Sequence, residues 1–223
     1  MSVEQVEAIA ATVPERQRAA VILAAGTGMR QGEVYGLTLD RVDFLRRSLR
    51  VDRQLVTVPG RAPFLGPPKT TALHRTIPLP QVVLDELAAH LAAYPPESQT
   101  VPVVHAGGRE SSESVGLLFT TSAGKPIRRT SYAEAWRAAV AAVGAPGGTG
   151  MHAMRHFYAS LLIRHGESVK TVQVRLGHAT AAETLDTYAH LWPDSDDRTR
   201  EAIDGVLGAT AKSRVTPVSQ TPS

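Results

Sequence analysis

Several short stretches of this 223-residue chain carry side chains suited to anion binding and proton transfer. In Met151-His152-Ala153-Met154-Arg155-His156 an imidazole and a guanidinium stand three residues apart. On a helix that spacing puts them on one face, a proton-transfer group beside a fixed cation. Leu176-Gly177-His178 follows, and ten residues further on comes Tyr188, within Thr187-Tyr188-Ala189-His190-Leu191. Far upstream, Gly26-Thr27-Gly28-Met29-Arg30-Gln31-Gly32-Glu33 supplies a second arginine with an acid three residues on. A guanidinium is always protonated and offers a planar fork that holds two oxygens of one anion, which lysine cannot do. A phenol, with an ordinary pKa of about 10, is easier to deprotonate than an alkyl alcohol, so a tyrosine beside a base is a potential nucleophile. Singly these motifs are weak; their order and spacing carry the information.

The elements that must position them read as follows. Ser2 and Gln5 are spaced as a capping box, and Val3, Val6 and Ile9 follow at helical spacing to about Thr12. Pro14 opens a second helix, Glu15 to Ala25, ended near Gly26 or Gly28, and a short helix carrying Arg30 and Glu33 follows. Between Leu49 and Leu79 the pattern alternates around Pro59-Gly60 and Gly66-Pro67-Pro68, which predicts a small antiparallel sheet with Lys69 in a turn or at a strand start. Helix resumes over Gln81 to Ala93, and a Pro-, Gly- and Ser-rich surface loop of some twenty residues follows. Thr130 is placed to cap a helix through Trp136 to Val143. Three short helices close the domain: His152 to Arg164, Ser168 to Leu176, and Thr180 to about Leu191, where Thr180 and Glu183 form another box. Asp196 to Leu207 is expected to form a separate amphipathic helix, and residues after Gly208 lack periodicity and are expected to be disordered.

From about residue 2 to 192 this series resembles the tyrosine recombinases of the phage-integrase type. Their pattern is an arginine in a G-x-R-x-x-E segment, a β-hairpin lysine, H-x-x-R, L-G-H and a nucleophilic tyrosine. The resemblance assigns Arg30, Lys69, His152, Arg155, His178 and Tyr188 to an active site, with Glu33 as a supporting acid. Pro68-Lys69-Thr70 followed by Arg75-Thr76-Ile77 matches the lysine hairpin, with Lys125 as the rival lysine. Ala153 and Met154 replace the usual polar-then-leucine pair, and Phe157 stands where a small hydroxyl residue is common. The implied fold is α+β and mainly α, with a small three-stranded antiparallel sheet. The implied reaction is cleavage and rejoining of double-stranded DNA through a phosphotyrosyl bond. Fixed donors meet the charge developing on the phosphate, so no cofactor or metal is expected. In this reading His152 assists Tyr188 as base, Lys69 protonates the leaving 5′-hydroxyl and His178 donates to the phosphate.

The same resemblance implies a homotetramer on paired DNA sites, with 196–207 docking on a neighbouring protomer, and a monomer without DNA. Residues 1–208 are expected to be the catalytic domain and 209–223 a tail. The family's preceding DNA-binding domain is expected to be absent from this chain.

Composition agrees with a DNA partner. The net charge is +3, yet 41–76 holds eight basic residues against two acidic, 124–175 repeats that balance, and 183–204 holds seven acidic against two basic. Two basic segments meeting on one face would make a polyanion groove; solvated faces are the plain alternative. The chain has no cysteine, which excludes thiol nucleophiles and thiolate metal sites. It lacks an apolar run long enough to span a bilayer, and its acidic start is unlike a signal peptide, so a cytoplasmic, nucleoid-associated protein is expected.

Four other readings compete. His152 and His156 are spaced as zinc ligands on a helix, but Ala153 replaces the zinc proteases' glutamate. Val21 to Arg30 resembles the strand and glycine loop of sugar-nucleotide transferases, without that motif's lysine. A type IB topoisomerase shares the phosphotyrosine chemistry, and a DNA-binding relative without catalysis would need fewer of these residues.

Overall fold

The computed structural model describes residues 1–68, 74–192, 200–201 and 203–207. It divides into two compact units, Met1–Ala189 and His190–Ser223. In the second, residues 200–201 and 203–207 are helical, and the rest of the helix expected over 196–207 lies outside the described residues.

The first unit is built on helices α1 (Val3–Thr12) and α2 (Glu15–Thr27). Ser2 and Gln5 form the expected reciprocal capping box at the start of α1. Helix α2 packs against α1, α4 (Gln81–Ala93) and α6 (His152–Arg164), with Ala20, Leu23 and Ala24 fully buried. Aliphatic contacts of this kind contribute roughly 1.5–3 kcal/mol for each large side chain removed from water. The α2 segment includes Val21 to Ala25, so the strand that the transferase reading requires is absent there.

Helix α2 runs two residues beyond its expected end and is stopped by Gly28, which takes the left-handed conformation at φ 66°. A Cβ at Gly28 would sit 2.5 Å from the Tyr158 ring, so glycine is required there on two counts. The short helix α3 (Gln31–Tyr35) begins just afterwards, with Arg30 as its N-cap rather than within it. Helix α3 rests on strand β3 (Gln54–Val56), where Gly36 meets backbone so closely that a Cβ would lie 2.5 Å from Leu55 N.

A three-stranded antiparallel sheet is present as β1 (Val42–Asp43), β2 (Ser48–Val51) and β5 (Arg75–Pro78), in the order β1-β2-β5; β1 lies ahead of the expected 49–79 span, and Gln54–Val56, inside that span, pairs in another sheet. A second sheet has the order β3-β4-β6-β7, formed by β3 (Gln54–Val56), β4 (Phe64–Gly66), β6 (Ser98–Val104) and β7 (Glu110–Gly116). Its β4–β6 contact is parallel and the others are antiparallel.

The expected surface loop after α4 is therefore a hairpin. Only Val101 and Val103 of β6 are buried, and Pro102 between them faces outwards, so the alternation is short and interrupted by a residue that argues against strand. The remaining helices are α5 (Arg129–Ala142), α7 (Val169–Leu176) and α8 (Ala181–Tyr188). Arg128 rather than Thr130 is the N-cap of α5. Of the box expected at α8, Thr180 does cap Glu183 N–H, but the Glu183 carboxylate accepts from Ala179 N–H instead of closing the pair. No described helix is long and apolar enough to cross a membrane.

Candidate active site

Four elements deliver the predicted residues to one place. Arg30 enters from the start of α3, Arg155 from α6, His178 from just beyond α7 and Tyr188 from the end of α8. The charge of Arg30 is felt by His152, Arg155 and His178 alike, so the two arginines and two histidines share one electrostatic site. Tyr188 lies in the field of Arg155. Lys69 lies outside the described residues; the strands on either side of it, β4 and β5, are in place.

The two arginines are held differently. Arg155 is 1% exposed, and its Nη1 and Nη2 donate to Gly28 O at 2.8 Å and Leu176 O at 2.6 Å. Those carbonyls end α2 and α7, where unpaired C=O groups concentrate partial negative charge that a buried cation offsets. Burial, with Arg30 and Arg75 beside it, pulls the Arg155 pKa down to about 9, which leaves it charged at neutral pH. Arg30 is partly exposed, and its Nη1 pairs with Glu33 Oε1 at 3.3 Å. Glu33 also accepts from the Arg30 backbone N–H at 2.8 Å.

Glu33 itself is buried and takes a second guanidinium: Arg75 Nη1 and Nη2 donate to its two oxygens at 3.2 and 2.8 Å. Burial alone would raise this carboxyl's pKa. The Arg75 hydrogen bonds and charge, followed by those of Arg30, outweigh burial and hold it below the ordinary value. Arg75 Nε donates to Arg175 O at 2.9 Å, so one side chain ties β5 to both α3 and α7.

The nucleophile candidate is buried at 3% exposure, and its hydroxyl lies 2.9 Å from His156 Nδ1. Burial raises the phenol's pKa and the Arg155 charge partly offsets that, so ionising Tyr188 needs a proton acceptor. The His152 ring packs edge-on against His156, with centroids 4.8 Å apart. Burial first and neighbouring cations second lower the pKa of both histidines, which keeps them neutral and able to accept at neutral pH. The imidazole touching the phenol is therefore His156, four residues along the same helix face from the expected base. His178 is buried, its Nδ1 is 2.9 Å from Thr184 Oγ1, and burial together with Arg155 lowers its pKa to about 4. Among the described residues, no three His, Asp or Glu side chains converge as metal ligands would.

The model of the phage integrase family matches residues 1–194. The chain belongs to the phage integrase family. A tyrosine recombinase XerC-like protein of Caldanaerobacter subterraneus subsp. tengcongensis is 30% identical over 200 residues, which cover 86% of this chain and 50% of that protein. Tyrosine recombinase XerD of Corynebacterium glutamicum is 27% identical over 187 residues, 84% of this chain and 52% of its own length. The chain thus spans about half the length of these curated relatives. The fold matches that of the Tn1549 transposon integrase, solved in complex with transposon right end DNA, with TM-score 0.74 at 23% identity over 93% of this chain and 65% of that one. It also matches the catalytic domain of bacteriophage HP1 integrase, with TM-score 0.56 at 18% identity, covering 93% and 95% of the two chains.

Within this phage integrase fold, three side chains that the motifs do not single out stand against the predicted ones: Arg75 on Glu33, His156 on Tyr188 and Thr184 on His178. His156 had a local signal, its spacing of four from His152. Arg75 was read only as part of the lysine hairpin, and its pairing with Glu33, forty-two residues away, had no signal.

Proposed function

We propose that this chain carries the strand-cleaving and strand-joining chemistry of a site-specific tyrosine recombinase acting on double-stranded DNA. The observation that carries the reading is the Tyr188 hydroxyl, hydrogen-bonded to a neutral imidazole and lying in the field of an arginine that a second arginine also faces. The names of the curated relatives and the DNA-bound structural neighbour support the same substrate.

In this proposal Arg30 and Arg155 hold the non-bridging oxygens of the scissile phosphate, and His178 donates a third hydrogen bond. Tyr188 Oη gives its proton to His156 and attacks phosphorus. The bond from phosphorus to the 5′-oxygen breaks, and Lys69 protonates the leaving hydroxyl. The product is a 3′-phosphotyrosyl ester with a free 5′-hydroxyl. Attack by the 5′-hydroxyl of another strand reverses these steps, so joining needs no nucleotide cofactor. Arg155 and Tyr188 are buried while Arg30 is partly exposed, so an arriving phosphate meets Arg30 first. Glu33 keeps Arg30 in place through its ion pair and its hydrogen bond from the Arg30 backbone N–H. The homotetramer on paired sites, docking by 196–207, and a cytoplasmic, nucleoid-associated location belong to the same proposal.

The test is a nicked suicide substrate incubated with the chain and with Tyr188→Phe. Wild type is expected to form a covalent protein–DNA adduct and the variant none. An adduct on Tyr188→Phe would identify another nucleophile, and none on either protein would defeat the reading.

A further inference from the structure

Thr184 has no solvent exposure, yet its hydroxyl is not spent on its own helix: Oγ1 lies 2.9 Å from His178 Nδ1. It stands on α8 four residues before Tyr188, and both are buried, so the two share the inward face of that helix. The backbone of His178 is fixed independently. Its N–H donates to Gln173 O at 3.0 Å, and its carbonyl accepts from Gln173 Nε2 at 3.3 Å. What the backbone leaves undecided is which ring nitrogen carries the proton.

Two features decide it. A carboxylate oxygen of Glu183 stands 3.7 Å from Nε2, with its other oxygen anchored by Ala179 N–H, which favours a proton on Nε2. Burial first, and then the guanidinium groups facing the ring, disfavour a second proton, so the imidazole carries one. With that proton on Nε2, Nδ1 is an acceptor and the Thr184 hydroxyl must be its donor.

We propose that Thr184 is a positioning residue: its hydroxyl donates to His178 Nδ1, holds the ring proton on Nε2 and thereby keeps an N–H donor available to the scissile phosphate. This rests on the recombinase reading and adds a coupling to it. Thr184 and Tyr188 ride on the same helix, so His178 has its donor tautomer fixed when the nucleophile's helix is docked. A ring in the other tautomer would present a lone pair to a phosphate oxygen, and repulsion would replace a hydrogen bond.

The experiment has two arms on the full chain. In the first, 15N-labelled histidine is observed by NMR near neutral pH in wild type, Thr184→Val and Thr184→Ser. Wild type and Thr184→Ser are expected to show His178 protonated at Nε2, and Thr184→Val, which keeps the shape and loses the hydroxyl, a mixed or reversed tautomer. In the second arm, Thr184→Val is expected to slow adduct formation at saturating suicide substrate by about 10- to 100-fold with DNA affinity unchanged. Thr184→Ser restores the rate.

A wild-type His178 protonated at Nδ1 overturns the proposal even if Thr184→Val does not fold. So does a Thr184→Val protein with an unchanged tautomer or a wild-type rate. Failure of wild type itself to form an adduct would strike the recombinase reading, while the tautomer arm would still decide what Thr184 does to His178.

Discussion

Two imidazoles on one face of α6 compete for the role of proton acceptor, and their contacts separate them. His156 Nδ1 holds the Tyr188 hydroxyl at 2.9 Å, whereas His152 reaches the phenol only through its edge-on contact with His156. A general base acts from hydrogen-bond distance and contributes about 10²- to 10⁴-fold. His156→Ala is therefore expected to slow adduct formation by about a hundredfold, and His152→Ala by less. The opposite order, with His156→Ala cleaving at the wild-type rate, would mean that Tyr188 leaves His156 before it reacts and gives its proton to His152. At this scale the candidate groups were legible in the sequence, because Arg30, His152, Arg155, His178 and Tyr188 keep a fixed order and spacing. Their partners were not. Thr184 is one of many threonines until the fold turns it towards His178, and nothing in a string of residues shows which buried hydroxyl faces which ring.

Between elements the decisive joint is Glu33, which gathers α3, β5 and, through Arg75, α7 around one buried carboxylate. Replacing it with glutamine keeps the volume but leaves the buried Arg75 guanidinium without its counter-charge, and breaking a buried pair from one side costs about 3–5 kcal/mol. Glu33→Gln is expected to lower Tm at neutral pH accordingly. The pH dependence follows from the direction of the shift. Glu33 is held below its ordinary value of 4.5 in the folded protein, so its contribution is complete above that value and fades as pH falls through the folded pKa. The Tm gap between wild type and Glu33→Gln should therefore be wide at neutral pH and narrow in acid, and a gap independent of pH would show that the charge of Glu33 is not what the fold uses. Elements with local signals were legible too: the box of Ser2 and Gln5, the glycine after α2 and the span of α4 all stand where periodicity put them. The β6–β7 hairpin was not, since its strands gain order from the long-range pairing of β6 with β4 through Leu65 and Val103.

Over the whole molecule, the fold corrects what the charge count implied about DNA. The two basic segments look equal in sequence, but most arginines of the first are answered by carboxylates. Arg41, Arg50 and Arg53 converge on Asp52, Arg46 pairs with Asp43, Arg61 with Glu110 and Arg75 with Glu33. Among the described residues, the structure gives no such carboxylate to Lys125, Arg128 or Arg137, all exposed in the second segment. Arg128, which is exposed, also lines a small cavity with Gln31, the residue next to Arg30 in sequence. A cation already paired within the protein releases few counterions when DNA arrives, whereas an unpaired cation that meets a phosphate contributes about 0.9 to the slope of log affinity against log salt. Binding of the chain to duplex DNA, titrated across salt concentrations, is therefore expected to be weak and strongly salt-dependent. Arg128→Gln should flatten the slope by about one, and Arg61→Gln should leave it nearly unchanged. If both variants shift the slope equally, internal pairing does not choose the contacts; if neither does, the DNA lies on another face and Arg30 is not its point of entry.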